Sequence, residues 1–176
     1  MSDQPSSILV ALGSNLGDRL ASLRAAVVAV HQLPCTQVLS VAPLYETDPV
    51  DCPPESQAFY NSVMELQTSL ALPSLLRELR GIEITLGRPS EHGHHAPRTV
   101  DLDILCAGQT VVNTEELGVP HPRMHLRRFV LQPAADLQPD LMLPGQNKSI
   151  AMLLHELNNN EPPLRQVARD WADLNG

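Results

Sequence analysis

Apolar residues in this chain change their spacing in a fixed order, and that order restricts the folds open to it. A continuous apolar run at residues 8–12 is typical of a central strand. Between Leu16 and Leu33, apolar residues at spacings of four and three predict an amphipathic helix that Ser14 or Asn15 can cap. Later segments predict strands at 36–42, 58–68 and 98–105, and a helix that starts near Pro73 and ends at Gly87.

The resulting order of elements is βαββαβ. It predicts an α+β fold of the ferredoxin-like type, with a mainly antiparallel sheet and both main helices on one face. We expect a short hairpin arm at 108–112 and C-terminal helical additions at 126–137 and 150–157. The sequence shows no repeat or domain boundary, so we expect a single domain over residues 1–176, with a core at 8–156 and a polar tail at 157–176.

Two aspartates interrupt the last predicted strand, in the stretch RTVDLDIL. Because side chains alternate along a strand, Asp101 and Asp103 share one face, with their α-carbons about 6–7 Å apart. Carboxylates that close repel each other unless a cation joins them. Spacing alone leaves two interpretations open, namely a solvent-facing strand edge and a cation site.

Overall charge argues against a non-specific nucleic-acid binder. The formal net charge is −8, with 12 basic residues. Several of the basic residues are nevertheless concentrated in one part of the chain, at Arg88, Arg98, Arg123, Arg127 and Arg128. Arginine binds phosphates and carboxylates with two parallel hydrogen bonds, so this concentration indicates a small anionic ligand.

The common nucleotide and hydrolase motifs are absent. The sequence contains no GxxxxGK[ST], GxGxxG, GxSxG or HExxH, and its three cysteines form no CxxC pair. Aspartates without a cysteine nearby favour Mg²⁺, which takes the rest of its shell from water and substrate phosphates. The residues alone therefore suggest a phosphate-handling site, with no chemistry at all as the open alternative. The histidines at 92, 94 and 95 fit a solvated loop better than a transition-metal site.

Taken together, ALGSNLGDR, FYN at 59–61, GR at 87–88, PRTVDLDIL and VPHPRMHLRRFVLQP resemble the 6-hydroxymethyl-7,8-dihydropterin pyrophosphokinase family over residues 8–156. The resemblance implies a cytoplasmic folate-pathway enzyme that moves pyrophosphate from ATP to a reduced pterin and leaves AMP. It also implies two Mg²⁺ ions, and it implies neither a nucleic-acid or membrane partner nor an obligate protein partner.

The resemblance also implies roles for individual residues. Asp101 and Asp103 would hold both metal ions and, with Arg88 and Arg98, form the catalytic set. Pterin-binding positions are Thr47, Val50, Phe59, Asn61 and Phe129, with the two phenylalanines on either side of the ring. ATP-side positions are Glu83, Arg88, Arg98, Ile104, His121 and Arg127.

Four positions depart from the family pattern: His95 replaces a tryptophan, Ser90 and Glu116 replace arginines, and Pro122 replaces a tyrosine. These changes concern the form of the 88–98 loop and the affinity for adenosine. A non-catalytic ferredoxin-like nucleotide sensor and a Mg²⁺-dependent phosphohydrolase are the alternative functions.

Overall fold

A computed structural model describes residues 6–48, 55–87, 99–157 and 164–174 of the chain. The described strands are β1 (Ser6–Ser14), β2 (Thr36–Val41), β3 (Leu44–Thr47), β4 (Phe59–Thr68), β5 (Asp101–Ala107), β6 (Val112–Asn113), β7 (Gly118–Val119) and β8 (Arg165–Ala168). The helices are α1 (Arg19–His31), α2 (Leu72–Thr85), α3 (Arg128–Leu137) and α4 (Ile150–Glu156), with a 3-10 turn at Met124–Leu126.

Six of these strands form one sheet in the order β5-β1-β4-β3-β8, and β2 pairs with β4 beside β3. Every pairing in it is antiparallel. The predicted α+β class and ferredoxin-like βαββαβ order are therefore confirmed. A hairpin arm forms later in the chain than the predicted 108–112, as the separate pair β6-β7. Of the predicted residues only Val112 lies in a strand, because residues 108 and 109 form the turn after β5.

The two faces of the sheet carry different helices. On one face, Ile8, Val10 and Leu12 of β1 pack in a core with α1 and α2, as predicted. On the other face, Leu9 packs with α3 and α4, the predicted C-terminal additions. Alternation along β1 thus separates two cores, because neighbouring side chains of a strand point to opposite faces. No described helix has the length and apolar character to cross a membrane.

Helix α1 begins later than its apolar spacing predicts. The Asp18 side chain accepts a hydrogen bond from the backbone N–H of Ala21 (3.0 Å), so Asp18 is the N-cap rather than Ser14 or Asn15. Ser14 instead ends β1, paired with Tyr60 of β4. The predicted start at Leu16 is wrong because the apolar spacing continues through a turn that precedes the cap.

The chain beyond residue 156 also differs from its prediction as a polar tail outside the core. Strand β8 extends the sheet by pairing with β3, and Trp171 is 3% exposed within the α1–α2 core. A strand of four mostly exposed residues is too short for its side-chain alternation to be recognised in the sequence. The same limit applies to β3, where the sequence predicted no strand.

Candidate active site

Four residues form a row across one face of the sheet. Gly13 of β1 pairs with Asp101 of β5 on one side and with Asn61 of β4 on the other, and Asn61 pairs with Tyr45 of β3. Paired residues point to the same face, and neighbouring strands lie about 4.8 Å apart, so Asp101 and Asn61 are separated by roughly 10 Å. The row places the predicted metal ligand and the predicted pterin ligand on one surface, with a glycine between them.

Asp103 lies two residues along β5 and faces the same way as Asp101. It pairs with Ala11, which packs on the α3–α4 side of the sheet. The pKa of the Asp103 carboxyl is raised to about 6, because burial disfavours its charge and the charge of Asp101 adds to the effect. Arg80 offsets part of this, with its Nη2 at 3.6 Å from Asp103 Oδ1. As the sequence predicts, the two carboxylates lie close enough to repel each other.

This carboxylate pair fits magnesium in its chemistry. Mg²⁺ typically uses one or two protein carboxylates and leaves its other positions to water and phosphate oxygens. Within residues 6–48, 55–87, 99–157 and 164–174, no group of three or more metal-ligating side chains comes together. A site with two aspartates therefore suits a cation that arrives with a phosphorylated substrate better than a fully protein-caged ion.

Helix α2 holds the strand that carries the aspartates. Glu83 accepts a hydrogen bond from the backbone N–H of Leu102 (2.8 Å), and Arg80 donates to the Leu102 carbonyl (2.8 Å). Arg80 also donates to Glu83 at 2.8 Å, which joins the two side chains into one clamp. Since Leu102 lies between Asp101 and Asp103, the clamp fixes the backbone from which both carboxylates project. Burial is the main cause that raises the pKa of Glu83.

From the sequence, Glu83 was predicted to have a nucleotide-side role only, and Arg80 was not singled out. The i, i+3 spacing of this pair on a helix was the available signal. Ile104, another predicted ATP-side residue, has its side chain in the α1–α2 core, on the face opposite Asp103. Any nucleotide contact at that position is thereby limited to the backbone.

Asn61 is buried and oriented by its neighbours. Its Nδ2 donates to Thr47 Oγ1 at 2.9 Å, so two predicted pterin residues are in direct contact. A Cβ atom built on Gly13 would lie 3.0 Å from Asn61 Oδ1, closer than side chains normally approach. Glycine at this position therefore leaves room for the Asn61 amide, which is the close approach that a glycine inside a strand often indicates.

The two phenylalanines lie on the same side of the sheet as Asn61. Phe59 precedes Asn61 by two residues on β4, and its ladder partner is Thr47. Phe129 is in the first turn of α3, and the guanidinium carbon of Arg127 is 5.6 Å from its ring centroid. Both rings are only partly buried. An aromatic ring with an accessible face and a cation nearby suits a flat, polar heterocycle.

His121 occupies the turn after β7, next to the aspartate strand. Its backbone N–H donates to the Leu105 carbonyl (2.7 Å), and its Nδ1 accepts from the N–H of Arg123 (3.2 Å). Burial, followed by the charges of Arg127 and Arg123, lowers the pKa of its imidazole. A neutral imidazole surrounded by arginines is compatible with an anionic ligand at this end of β5.

Several sequence-based assignments lie outside the described residues. These are Val50, Arg88 and Arg98, together with the departures His95 and Ser90. The other two departures, Glu116 and Pro122, are exposed. The structure therefore brings together Asp101, Asp103, Asn61 and Thr47 on one face, with Phe59, Phe129, His121 and Arg127 around them.

Most of the chain is similar to one known protein family. Residues 9–139 match the family described as 7,8-dihydro-6-hydroxymethylpterin-pyrophosphokinase (HPPK). The 2-amino-4-hydroxy-6-hydroxymethyldihydropteridine pyrophosphokinase of Pseudomonas aeruginosa is 44% identical over 137 residues, which cover 78% of this chain and 83% of that protein. The protein of the same name from Bacillus subtilis is 47% identical over 128 residues, covering 73% and 75%.

Solved structures show the same fold. The Plasmodium falciparum HPPK-DHPS wild type with pterin and p-hydroxybenzoate aligns with a TM-score of 0.65 at 15% identity and covers 89% of this chain. This chain spans only 42% of that longer one. At this identity the match concerns the fold alone.

Proposed function

Because the chain belongs to the 7,8-dihydro-6-hydroxymethylpterin-pyrophosphokinase family, we propose that the row from Asp101 to Asn61 joins an ATP half-site to a pterin half-site. The protein is an ATP-dependent diphosphotransferase of folate biosynthesis. The hydroxymethyl oxygen of the pterin attacks the β-phosphorus of ATP, the bond from that phosphorus to the α,β-bridging oxygen breaks, and AMP leaves. The pterin hydroxyl loses its proton to solvent water in the same process.

The metal half-site is Asp101 with Asp103, and two Mg²⁺ ions are proposed there. Support comes from the shared face and from the pKa of Asp103, which stays raised although Arg80 lies 3.6 Å away and lowers it in part. Bound magnesium would neutralise phosphate charge and align the reacting oxygens. The Arg80–Glu83 clamp would keep both carboxylates in position, since it holds the backbone of the residue between them.

The pterin half-site is proposed around Asn61, between Phe59 and Phe129, with Thr47 and Val50 supplying further contacts. The buried Asn61 amide is oriented by Thr47, and an amide matches the donor–acceptor edge of a pterin. Stacking between the two rings would orient the hydroxymethyl group toward the aspartates. The observation that carries this proposal is the cross-strand register that aligns Asp101, Gly13 and Asn61.

For the nucleotide, His121, Arg127, Glu83 and the Ile104 backbone are the proposed ATP-side positions, with Arg88 and Arg98 acting on the phosphates. An arginine that contacts charge developing during transfer lowers the barrier more than it strengthens ground-state binding. We expect the two arginine-to-alanine variants to reduce single-turnover rates more than ATP affinity. The cytoplasm is the proposed location.

One assay separates this function from its alternatives. Purified protein is incubated with Mg²⁺, ATP and 6-hydroxymethyl-7,8-dihydropterin, and AMP is followed with each component omitted in turn. Membership of the family argues against both alternatives. In this assay a nucleotide sensor makes no AMP, and a phosphohydrolase makes its product without pterin. Asp103→Ala should reduce AMP formation by several orders of magnitude, whereas Asp140→Ala, an exposed aspartate, should not. Near-normal activity in Asp103→Ala would contradict the metal assignment.

A further inference from the structure

The C-terminal segment, residues 164–174, lies beyond the residues that match the family, yet it contacts the strand next to the proposed pterin site. β8 pairs with β3 at Leu44, Tyr45 and Glu46. β3 has only four residues, and its other neighbour, β4, pairs with three of them. Short strands with few ladder partners are weakly held, so a second neighbour matters for the position of β3.

Charged contacts extend this pairing toward the pterin residues. Arg165 of β8 contacts Glu46 at 2.9 Å and Asp48 at 3.3 Å, on either side of Thr47. The other oxygen of Glu46 contacts Arg19 of α1 at 3.0 Å. Glu46 is thus held between two arginines from different elements. The causes that lower the pKa of its carboxyl, beginning with the hydrogen bond from Arg165, outweigh the burial that raises it.

The second arginine of this group reaches the strand of Phe59. Arg19 donates to the backbone carbonyl of Ala58 at 2.7 Å, and its guanidinium carbon lies 3.8 Å from the ring centroid of Tyr60. Ala58 and Tyr60 are the two neighbours of Phe59 in the chain. The path from Arg165 through Glu46 to Arg19 therefore ends on both sides of a proposed pterin-stacking residue.

Trp171 fixes the other end of β3. Its indole N–H donates to the carbonyl of Ala42 (2.8 Å), in the corner between β2 and β3. Its own carbonyl accepts from Arg24 Nε of α1 at 2.7 Å, and its ring is 3% exposed. A buried tryptophan with its N–H satisfied is a strong anchor, since it combines a large apolar area with one directed hydrogen bond.

From these contacts we propose that the C-terminal segment positions the pterin half-site, with Trp171 and Arg165 as positioning residues that act through β3 and Glu46. Neither residue is among the positions proposed to contact a substrate. The inference rests on the proposed pterin site, and it predicts an effect on pterin binding that ATP binding does not share. The described ATP-side positions lie on α2, on β5, in the turn after β7 and at the start of α3, whereas β8 pairs with β3.

The test compares dissociation constants for two ligands in four variants. Arg165→Ala should weaken binding of 6-hydroxymethylpterin, measured with Mg²⁺ and a non-hydrolysable ATP analogue present, by about two- to fivefold, the range of an exposed ion pair. Arg165→Lys should restore most of that loss. Trp171→Phe retains an aromatic ring and should weaken pterin binding by about three- to tenfold. Arg77→Ala, at an exposed arginine of α2 that donates to Ser74, is the control and should change neither constant.

Affinity for the Mg²⁺–ATP analogue should stay within twofold of wild type in all four variants. The KM for the dihydropterin should rise in Arg165→Ala and Trp171→Phe while kcat changes less. Unchanged pterin affinity in both variants, or equal losses for the two ligands, would overturn the inference and leave the proposed function intact. Wild-type protein that makes no pterin-dependent AMP would instead refute the proposed function, and the inference with it.

Discussion

The Tyr45 hydroxyl donates a hydrogen bond to the Asp136 carboxylate, and this contact joins β3 to helix α3. Tyr45 is the ladder partner of Asn61, whereas Asp136 lies two helical turns after Phe129. Gln132 also donates to Asp136, at 3.2 Å. Burial, and after it Asp136, raises the pKa of the Tyr45 phenol, so the hydroxyl stays a neutral donor. The contact therefore sets how far the proposed stacking ring lies from the proposed pterin amide.

Removing that hydroxyl should affect the pterin more than ATP. Tyr45→Phe keeps the ring but leaves Asp136 without its donor from β3. Because Asp136 is exposed and water can replace that donor, we expect a loss of about 0.5–1.5 kcal/mol in the free energy of unfolding. α3 would also shift relative to Asn61, which should raise the KM for the dihydropterin severalfold. Denaturant unfolding and steady-state kinetics measure the two effects. Tyr60→Phe is the matched control, because its ring can still contact Arg19. Equal changes in the KM values for both substrates would contradict this role.

Gly13→Ala tests the space in the middle of the cross-strand row. The added methyl group would lie 3.0 Å from Asn61 Oδ1 and force the amide to move. We expect weaker pterin binding by roughly tenfold, about 1.4 kcal/mol, with little change in binding of a Mg²⁺–ATP analogue. Calorimetry with each ligand gives both values. Gly81→Ala, in open space on α2, is the control and should stabilise the protein slightly. Unaltered pterin affinity in Gly13→Ala would argue against Asn61 as a ligand.

Phe129→Ala removes one proposed stacking surface. Loss of an aromatic platform weakens binding of a flat base by about 1–3 kcal/mol, so pterin affinity should fall about five- to 150-fold. ATP-analogue binding to the free enzyme should change much less. Calorimetry on Phe129→Ala and on Leu126→Ala, whose side chain is 56% exposed, separates stacking from a general loss of apolar area. Equal losses for both ligands in Phe129→Ala would instead assign that ring to the core.

Because the pKa of Asp103 is raised, replacing this side chain by a neutral one should stabilise the fold by an amount that depends on pH. In the unfolded chain this carboxyl ionises near its ordinary value of 3.8, whereas in the folded chain its pKa is about 6. The folded state therefore holds the proton longer. The stability that comes from this tighter binding of the proton in the folded state is fully present below pH 3.8, and it is lost as the pH rises to about 6.

Asp103→Asn cannot ionise, so the variant does not lose stability as the pH rises through this range. In chelator, the variant should become more stable relative to wild type as the pH rises from about 4 to 7. We expect a gain of about 1 kcal/mol, reduced from the full shift because the side chain is 34% exposed. Thermal unfolding across this pH range measures the difference. A difference that is constant with pH would contradict the shift. Added Mg²⁺ should stabilise wild type but not Asp103→Asn.

The fold was predictable because its main elements have clear periods. β1, α2 and β5 each present the apolar spacing that their element requires, and the residues of β5 show which face carries the carboxylates. β3 and β8 have four residues each and were missed. Their position depends on pairing with distant strands, and no local spacing encodes that pairing.

The candidate site divides in the same way. Asp101, Asp103 and Asn61 were predicted as site residues because motifs mark them, and the observed register aligns Asp101 with Asn61 across Gly13. Arg80 and Asp136 were missed because their importance arises only from contacts with residues far away in the sequence. Gly13 lies just after the strand predicted at 8–12 and was not singled out, because its nearness to Asn61 appears only in the structure.

The Arg80–Glu83 clamp also covers part of the open edge of the sheet. β5 is the terminal strand of the sheet, and a terminal strand offers unpaired amide and carbonyl groups to any other extended chain. Glu83 and Arg80 occupy those groups at Leu102, and the His121 N–H occupies the carbonyl of Leu105. Side chains that hold the aspartates in place thus also cover part of this border, so loss of the clamp would expose backbone groups of Leu102 to pairing with another extended chain.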